Sequence, residues 1–308
     1  MSRKVAVIGD GHVGETVAHH LVVAGLVDKL VLFDLNEGKV KADAIDFKDA
    51  MANLPHHVEV TYNDYAELAD TDIIVSALGN IKLQDNPDND RFAELPYTSQ
   101  QVKAVAKQIK AAGFHGKLVV ITNPVDVITM LYQEGTGLPK EHVIGTGTLL
   151  DSARMKHAVA EVLDLDPRSV VGYNLGEHGN SQFTAWSTVR VLGKPITEIA
   201  AEKGLDLVDL DKKAREGGFE VFYGKKYTSY GIATAAVRLV ETIFSDAHSE
   251  LPVSNYVAEY GLYLSYPAIV GADGILARVP LNLTDEELAK LQVSADYIKT
   301  KFEESNAK

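Results

Sequence analysis

The chain of 308 residues contains no cysteine, which removes disulfides, thiolate nucleophiles and cysteine-ligated metal centres together. Positive charge is scarce, with 30 Lys and Arg against 43 Asp and Glu and a net charge of −13. That balance argues against a nucleic-acid binder, which needs a basic stripe for phosphates, and against docking on anionic membrane. Small anionic ligands stay open, because a local arginine outweighs a distant field that salt screens. No apolar run approaches the length that spans a bilayer. The first one, in "MSRKVAVIGDG", is cut by Gly9 and Asp10, so no signal-peptide core fits there. The expectation is a cytoplasmic protein. Low-complexity tracts and short tandem repeats are missing too. What remains is 46% hydrophobic and 24% charged, the make-up of a globular protein long enough for about two domains.

The first half alternates compact apolar runs with helical periodicity. "KVAVIG" (4–9), "KLVLFD" (29–34), "VEVTY" (58–62), "DIIVSALG" (72–79), "KLVVIT" (117–122) and "HVIGTG" (142–147) read as strands. Residues 12–24 and 36–53 read as helices. Continuous apolar strands separated by helices predict a parallel sheet covered on both faces, and right-handed crossovers make it doubly wound. Beyond residue 147 the pattern changes. A helix over 149–163 is followed by "FTAWSTVRVLG", which alternates like an antiparallel strand, and by strand-like "YLSYPAIVG" and "ILARVPLNLT" among helices. The fold class expected is α/β, a Rossmann-type doubly wound parallel sheet (1–146) followed by an α+β domain (147–308).

Gly9-Asp10-Gly11-His12-Val13-Gly14 follows a predicted strand and opens a predicted helix. Glycines there permit a tight turn and close approach of the backbone to a diphosphate at the helix N-terminus. A G-x-G-x-x-G alone is a weak signal. Asp34 closes the next strand, where a carboxylate accepts hydrogen bonds from an adenosine ribose. The same carboxylate repels a ribose phosphate, and Leu35-Asn36 offers no arginine to offset it. NAD rather than NADP is therefore the expected cofactor, and 1–146 is its domain. Asp151 and Arg154 lie three apart on the 149–163 helix and share a face. A surface ion pair would explain that spacing as well. Their place just after a sheet strand, where such folds bind ligands, favours a site. So does His178, fenced by Gly176 and Gly179 in "NLGEHGNS", a stretch with few side chains to pack a histidine ring.

"DFKDAMANL" (46–54), "LGNIKLQ" (78–84), "DRFAEL" (90–95), "NPVDVIT" (123–129), "GTGTLLDSARM" (145–155), "GYNLGEHGNSQF" (172–183) and "YTSYG" (227–231) resemble the L-lactate/L-malate dehydrogenase family, over nearly the whole chain. Within the family the likeness reads as nearest to bacterial L-2-hydroxyisocaproate dehydrogenases. The resemblance implies an NAD-dependent, reversible reduction of 2-keto acids to L-2-hydroxy acids. It makes His178 the acid–base group, Asp151 the carboxylate that orients it and Arg154 the guanidinium that grips the substrate carboxylate. Arg91 would polarise the substrate carbonyl. Asn123 and Thr228 would lie against substrate, with Asn123 also on the nicotinamide ribose. Ile232 would cover one nicotinamide face. Gly9, Gly11, Val13, Gly14, Asp34 and Gly79 complete the cofactor set, and no metal is implied.

Substrate choice rests on the 79–91 loop and on Gly218. No arginine precedes Arg91 in that loop, which carries Asp85, Asp88 and Asp90, so a second substrate carboxylate is unwelcome and malate is disfavoured. The loop is also longer than in common lactate enzymes, and a glycine at Gly218 would leave room beside the substrate, unless Gly217-Gly218 merely breaks a helix. The expectation is a branched or larger aliphatic keto acid such as 2-oxo-4-methylpentanoate, with L-lactate dehydrogenase as the alternative. NAD-using glycoside hydrolases of similar architecture need a cysteine that is missing here. A non-catalytic NAD-binding protein is the remaining reading. In the family the helix over 38–54, with Val40, Ala44, Phe47 and Met51 near one face, packs on a second subunit; packing on its own sheet would serve those residues equally. A homodimer or homotetramer is expected.

Overall fold

The computed structural model describes residues 2–83 and 92–306. Strands and helices alternate through most of the first half. They comprise β1 (Lys4–Ile8), α1 (His12–Val23), β2 (Lys29–Phe33), α2 (Glu37–Ala50) and β3 (Glu59–Tyr62), then β4 (Ile73–Ser76), α3 (Leu95–Ala111), β5 (Lys117–Val120), α4 (Val125–Thr136) and β6 (Val143–Gly145). Strands β3-β2-β1-β4-β5-β6 lie side by side and all run parallel. The strand order reverses at β1, where β2 lies on one side and β4 on the other. The crevice beyond the carboxyl ends of β1 and β4 is where doubly wound sheets bind dinucleotides.

The second half begins with α5 (Leu149–Leu163). Five two-residue strands follow: β7 (Val170–Val171), β8 (Asn174–Leu175), β9 (Phe183–Thr184), β10 (Arg190–Val191) and β11 (Lys194–Pro195). Then come α6 (Ile196–Lys203), α7 (Leu207–Lys225) and α8 (Tyr230–Phe244), the meander β12 (Ser249–Val257), β13 (Leu262–Gly271) and β14 (Gly274–Arg278), and the last helix α9 (Asp285–Asn306). The meander joins the parallel sheet at β6 through one antiparallel pair, Ser254 with Gly145. The sheet therefore continues into the second half of the chain. The continuous strand expected over 183–193 is not formed. A 3₁₀ turn (Trp186–Thr188) splits it, held by the Thr188 hydroxyl donating to the Ala185 carbonyl at 2.7 Å. A side chain that satisfies its own backbone competes with the ladder.

Alternation along the central strands sends Val5, Val7, Leu30, Leu32, Ile73 and Val75 to one face of the sheet and Ala6, Ile8, Val31, Phe33 and Ile74 to the other. On the first face they meet α1, through Val17 and Leu21, and α8, through Ala233, Val237 and Val240. Helix α8 belongs to the second half, yet it packs beside α1. That placement sets its N-terminus next to the glycine turn. The other face is covered by α3, α4 and α9. Val40 and Ala44 of α2 are buried in the protein's own core, and Phe47 and Met51 pack against it.

The glycine turn depends on two close approaches. Gly9 has φ +95°, a conformation that side chains oppose, and a Cβ there would meet the Ala77 backbone at 2.7 Å. A Cβ on Gly14 would stand 1.9 Å from the Gly9 carbonyl oxygen. Gly14→Ala is therefore expected to push α1 off the turn, lowering unfolding free energy by about 3 kcal/mol and abolishing dinucleotide binding. Urea denaturation with an NADH titration checks this; a variant that binds NADH normally refutes it.

Candidate active site

Helix α5 starts directly after β6 and carries Asp151 in its first turn, with Arg154 one turn on. The Asp151 carboxylate is almost buried and bridges two partners. One oxygen accepts from Arg154 at 3.0 Å, and the other faces His178 Nδ1 at 2.5 Å. With Nδ1 committed to Asp151, Nε2 is the ring nitrogen for proton exchange.

The loop that presents His178 is tied at several points. The Glu177 N–H donates to the Ser294 hydroxyl of α9 at 2.7 Å, and Glu177 Oε2 accepts from the backbone and hydroxyl of Ser181. The His178 N–H donates to Asp126 Oδ2 at 2.8 Å. Asp126 is fully buried on the first turn of α4 and also accepts from the Ser254 hydroxyl at 2.6 Å. Burial pushes its carboxyl up to about 6, against the two donors that hold it down. Asp126 was not singled out from the sequence, although it stands in "NPVD". Nothing local in the chain tells that its partner is a backbone amide 52 residues away.

One cleft brings most of the expected residues together. Gly11, Val13 and Gly79 line its cofactor end, with His12 beside them. Asn123, Arg154, His178, Gly218, Thr228 and Ile232 line the other end. Asn123 follows β5 and begins the cis Asn123–Pro124 bond. Thr228 lies on the connection between α7 and α8, two residues before α8 begins. Gly9 and Gly14 form the turn behind this wall. Asp34 lies at the end of β2 and accepts the Asp10 N–H at 2.9 Å and the Asn36 N–H at 2.8 Å, one on each oxygen. Each carboxylate oxygen retains a lone pair for a ribose hydroxyl. Arg91, with the rest of 84–91, lies outside the described residues.

The residues present fit a dinucleotide. Helix α1 has no side chain capping its first turn, and Gly11 has open space where a Cβ would sit. Unfilled N–H groups at a helix N-terminus with no side chain in the way suit a diphosphate. Behind the turn, Asp10 is fully buried and its nearest cation is Lys39 Nζ at 3.5 Å. Burial, reinforced by the neighbouring Asp43 carboxyl, pushes Asp10 up to about 8, while Lys39 pulls it down. A carboxyl raised in the folded state stabilises that state fully below the ordinary carboxylate range. The contribution drains away as pH rises through about 8. Asp10→Asn, which cannot ionise, should exceed the parent protein in stability by about 2–4 kcal/mol near pH 9 and match it near pH 4. Urea melts at the two pH values decide it; a constant difference would exclude ionisation of Asp10 as the cause.

Gly217 and Gly218 do not break a helix, since α7 runs through both. Nor does Gly218 open a pocket for a bulky substrate. A Cβ there would meet the Arg154 guanidinium at 3.2–3.4 Å, so the missing side chain makes room for the arginine.

Comparison with known proteins agrees with this geometry. Residues 3–145 match the lactate/malate dehydrogenase NAD-binding domain, and residues 148–308 match the α/β C-terminal domain of the same family. The chain is 38% identical over 305 residues to L-lactate dehydrogenase 1 of Bifidobacterium longum subsp. longum, covering 96% of each. It is 36% identical over 312 residues to L-lactate dehydrogenase 3 of Bacillus cereus, covering 97% of this chain and 98% of the relative. The ligand-bound crystal structure of the minor L-lactate dehydrogenase from Enterococcus mundtii superposes with a TM-score of 0.92 at 35% identity, over 98% of both chains. These relatives overturn the finer likeness to L-2-hydroxyisocaproate dehydrogenases, and with it the preference for branched or larger keto acids. That preference leaned on loop residues outside the described set and on space at Gly218 that Arg154 fills. Fold, site and relatives together place this chain in the lactate/malate dehydrogenase family, as an NAD-dependent L-2-hydroxyacid dehydrogenase.

Proposed function

We propose that the protein reduces pyruvate to L-lactate with NADH and runs the reverse oxidation. The observation that carries the reading is the Asp151 carboxylate held between His178 and Arg154 in a chain whose relatives are called L-lactate dehydrogenases. Arg154 takes the substrate carboxylate on its guanidinium fork, a two-point grip that lysine cannot copy. His178 Nε2 gives its proton to the carbonyl oxygen as that oxygen gains charge, and takes it back in oxidation. Asp151 holds the ring and stabilises the imidazolium. Arg91 is assigned, from the family resemblance, the donor that polarises the carbonyl. Asn123 and Thr228 fix the substrate's position. NADH, when bound, supplies the hydride. The N-terminus of α1 with Gly9, Gly11, Val13 and Gly14 would hold its diphosphate, Asp34 its adenosine ribose, Gly79 and Asn123 its middle, and Ile232 one face of its ring. A ring covered on one face reacts from the other, which gives one hand of product.

The Arg154 guanidinium against Gly218 favours a small substrate side chain. The test is NADH consumption with pyruvate, 2-oxo-4-methylpentanoate and oxaloacetate under one set of conditions. Pyruvate is expected to lead in kcat/KM by roughly tenfold or more, since each surplus methylene in a tight site costs about 1–3 kcal/mol. A lead for the branched acid overturns the assignment. No helix among the described residues is long and apolar enough to cross a membrane, and a cytoplasmic homo-oligomer is part of the same proposal. Exposed Val23, Ile45 and Tyr230 supply apolar surface for association, which analytical ultracentrifugation would read directly.

A further inference from the structure

We propose that His12 and Tyr227 form a cofactor clasp, a stacked pair that holds the diphosphate segment of NADH in its groove and sets how fast the dinucleotide leaves. The inference rests on reading the cleft as an NADH site. The two rings lie 3.8 Å apart between centroids and 13° from parallel. Both line the cleft. His12 is the first residue of α1, directly after Gly11, where the uncapped helix end awaits an anion. Tyr227 stands on the short connection between α7 and α8, one residue before Thr228. The stack therefore ties the turn that receives the diphosphate to the turn that meets the substrate. It does so from the solvent side, for the His12 side chain is half-exposed.

Each ring is set from behind. His12 Nδ1 lies 3.3 Å from Glu15 Oε1, and Glu15 pairs with Lys39 at 3.0 Å. On the other side, Lys225 donates to the Ser229 hydroxyl at 3.0 Å. Its ammonium lies 4.8 Å from the Tyr227 ring centre and 3.9 Å from that of Tyr230. These contacts hold the connection in the shape that brings Tyr227 onto His12. The arrangement follows from the fold, because α1 and α8 pack side by side on one face of the sheet. Neither ring has a part in hydride or proton transfer. Their place is along the path by which the cofactor would enter and leave, and release steps rather than chemistry limit turnover in many enzymes.

The test preloads the protein with NADH, displaces it with excess NAD⁺ and follows NADH fluorescence in a stopped-flow instrument. His12→Ala and Tyr227→Ala are each expected to speed release by roughly two- to tenfold, the factor that one stacked pair supplies. The double variant should release no faster than the faster single variant, as residues that act through one contact are not additive. His12→Phe keeps a ring for Tyr227 and should restore slow release. Unchanged release, additive effects, or His12→Phe releasing as fast as His12→Ala would each overturn the clasp. The readout needs no turnover. Protein that binds NADH yet leaves pyruvate untouched would end the functional reading while the clasp is still decided by these rates.

Discussion

His178→Gln is expected to bind NADH as the parent protein does and to lose turnover of pyruvate by about 10³-fold or more. Glutamine at this position still meets Asp151 with an amide N–H, so the buried carboxylate keeps a partner. The loop keeps its ties through the His178 backbone to Asp126 and through Glu177 to Ser294 and Ser181. The glycine turn, Asp34 and Ile232, which would hold the cofactor, sit on other elements. What the variant lacks is a ring nitrogen that can give and take a proton. The loss should therefore appear in kcat, with the NADH dissociation constant unchanged by fluorescence titration. The sign of the pH dependence follows from the same role. Reduction draws on the protonated ring and weakens as pH rises, and oxidation draws on the neutral ring and strengthens. Loss of less than about tenfold in the variant would remove His178 from proton transfer.

Arg154→Lys should lower kcat/KM for pyruvate by about two to three orders of magnitude, through loss of a two-point, charge-assisted grip. Lysine keeps the charge and gives up the geometry. It also disturbs two contacts inside the protein. Arg154 donates to the Asp151 oxygen opposite the one that faces His178, and its guanidinium fills the space beside Gly218. An ammonium on a flexible stem would leave that space open and pull on Asp151 differently. The signature is a large rise in KM for the keto acid with NADH affinity preserved. A change of less than about tenfold would mean that another group takes the substrate carboxylate. Glycerol or salt should not rescue the variant, since neither restores a planar fork.

Much of this site is legible in the chain because its parts are local. The run Lys4–Ile8, the glycine turn and the helix after it form one strand–turn–helix unit, and Asp34 closes the next strand. Asp151 and Arg154 share a helix face by spacing alone, and the structure joins them at 3.0 Å. The glycines around His178 signal a loop shaped for something other than packing. Motif order then carries the family, because the spacing of these units along the chain is itself a pattern. Local signals mislead where a long-range contact decides. Alternation over 183–193 suggested a strand, and hydroxyl-to-backbone bonds made it a turn. A glycine at 218 suggested space, and a guanidinium from another helix occupies it.

By itself, then, the sequence determined a doubly wound NAD-binding half, a following α+β half, and the residue types able to grip a carboxylate and move a proton. Periodicity, turn chemistry and short-range spacing act over a few residues and need no knowledge of the rest. Only the tertiary structure decided that Asp126 holds the backbone of His178, that the meander from 249 to 278 extends the first sheet, that α8 packs beside α1, and that Tyr227 reaches His12. Each of these is a contact between segments far apart in the chain. Which one forms depends on how all the apolar faces are buried at once, and no stretch of sequence carries that information alone.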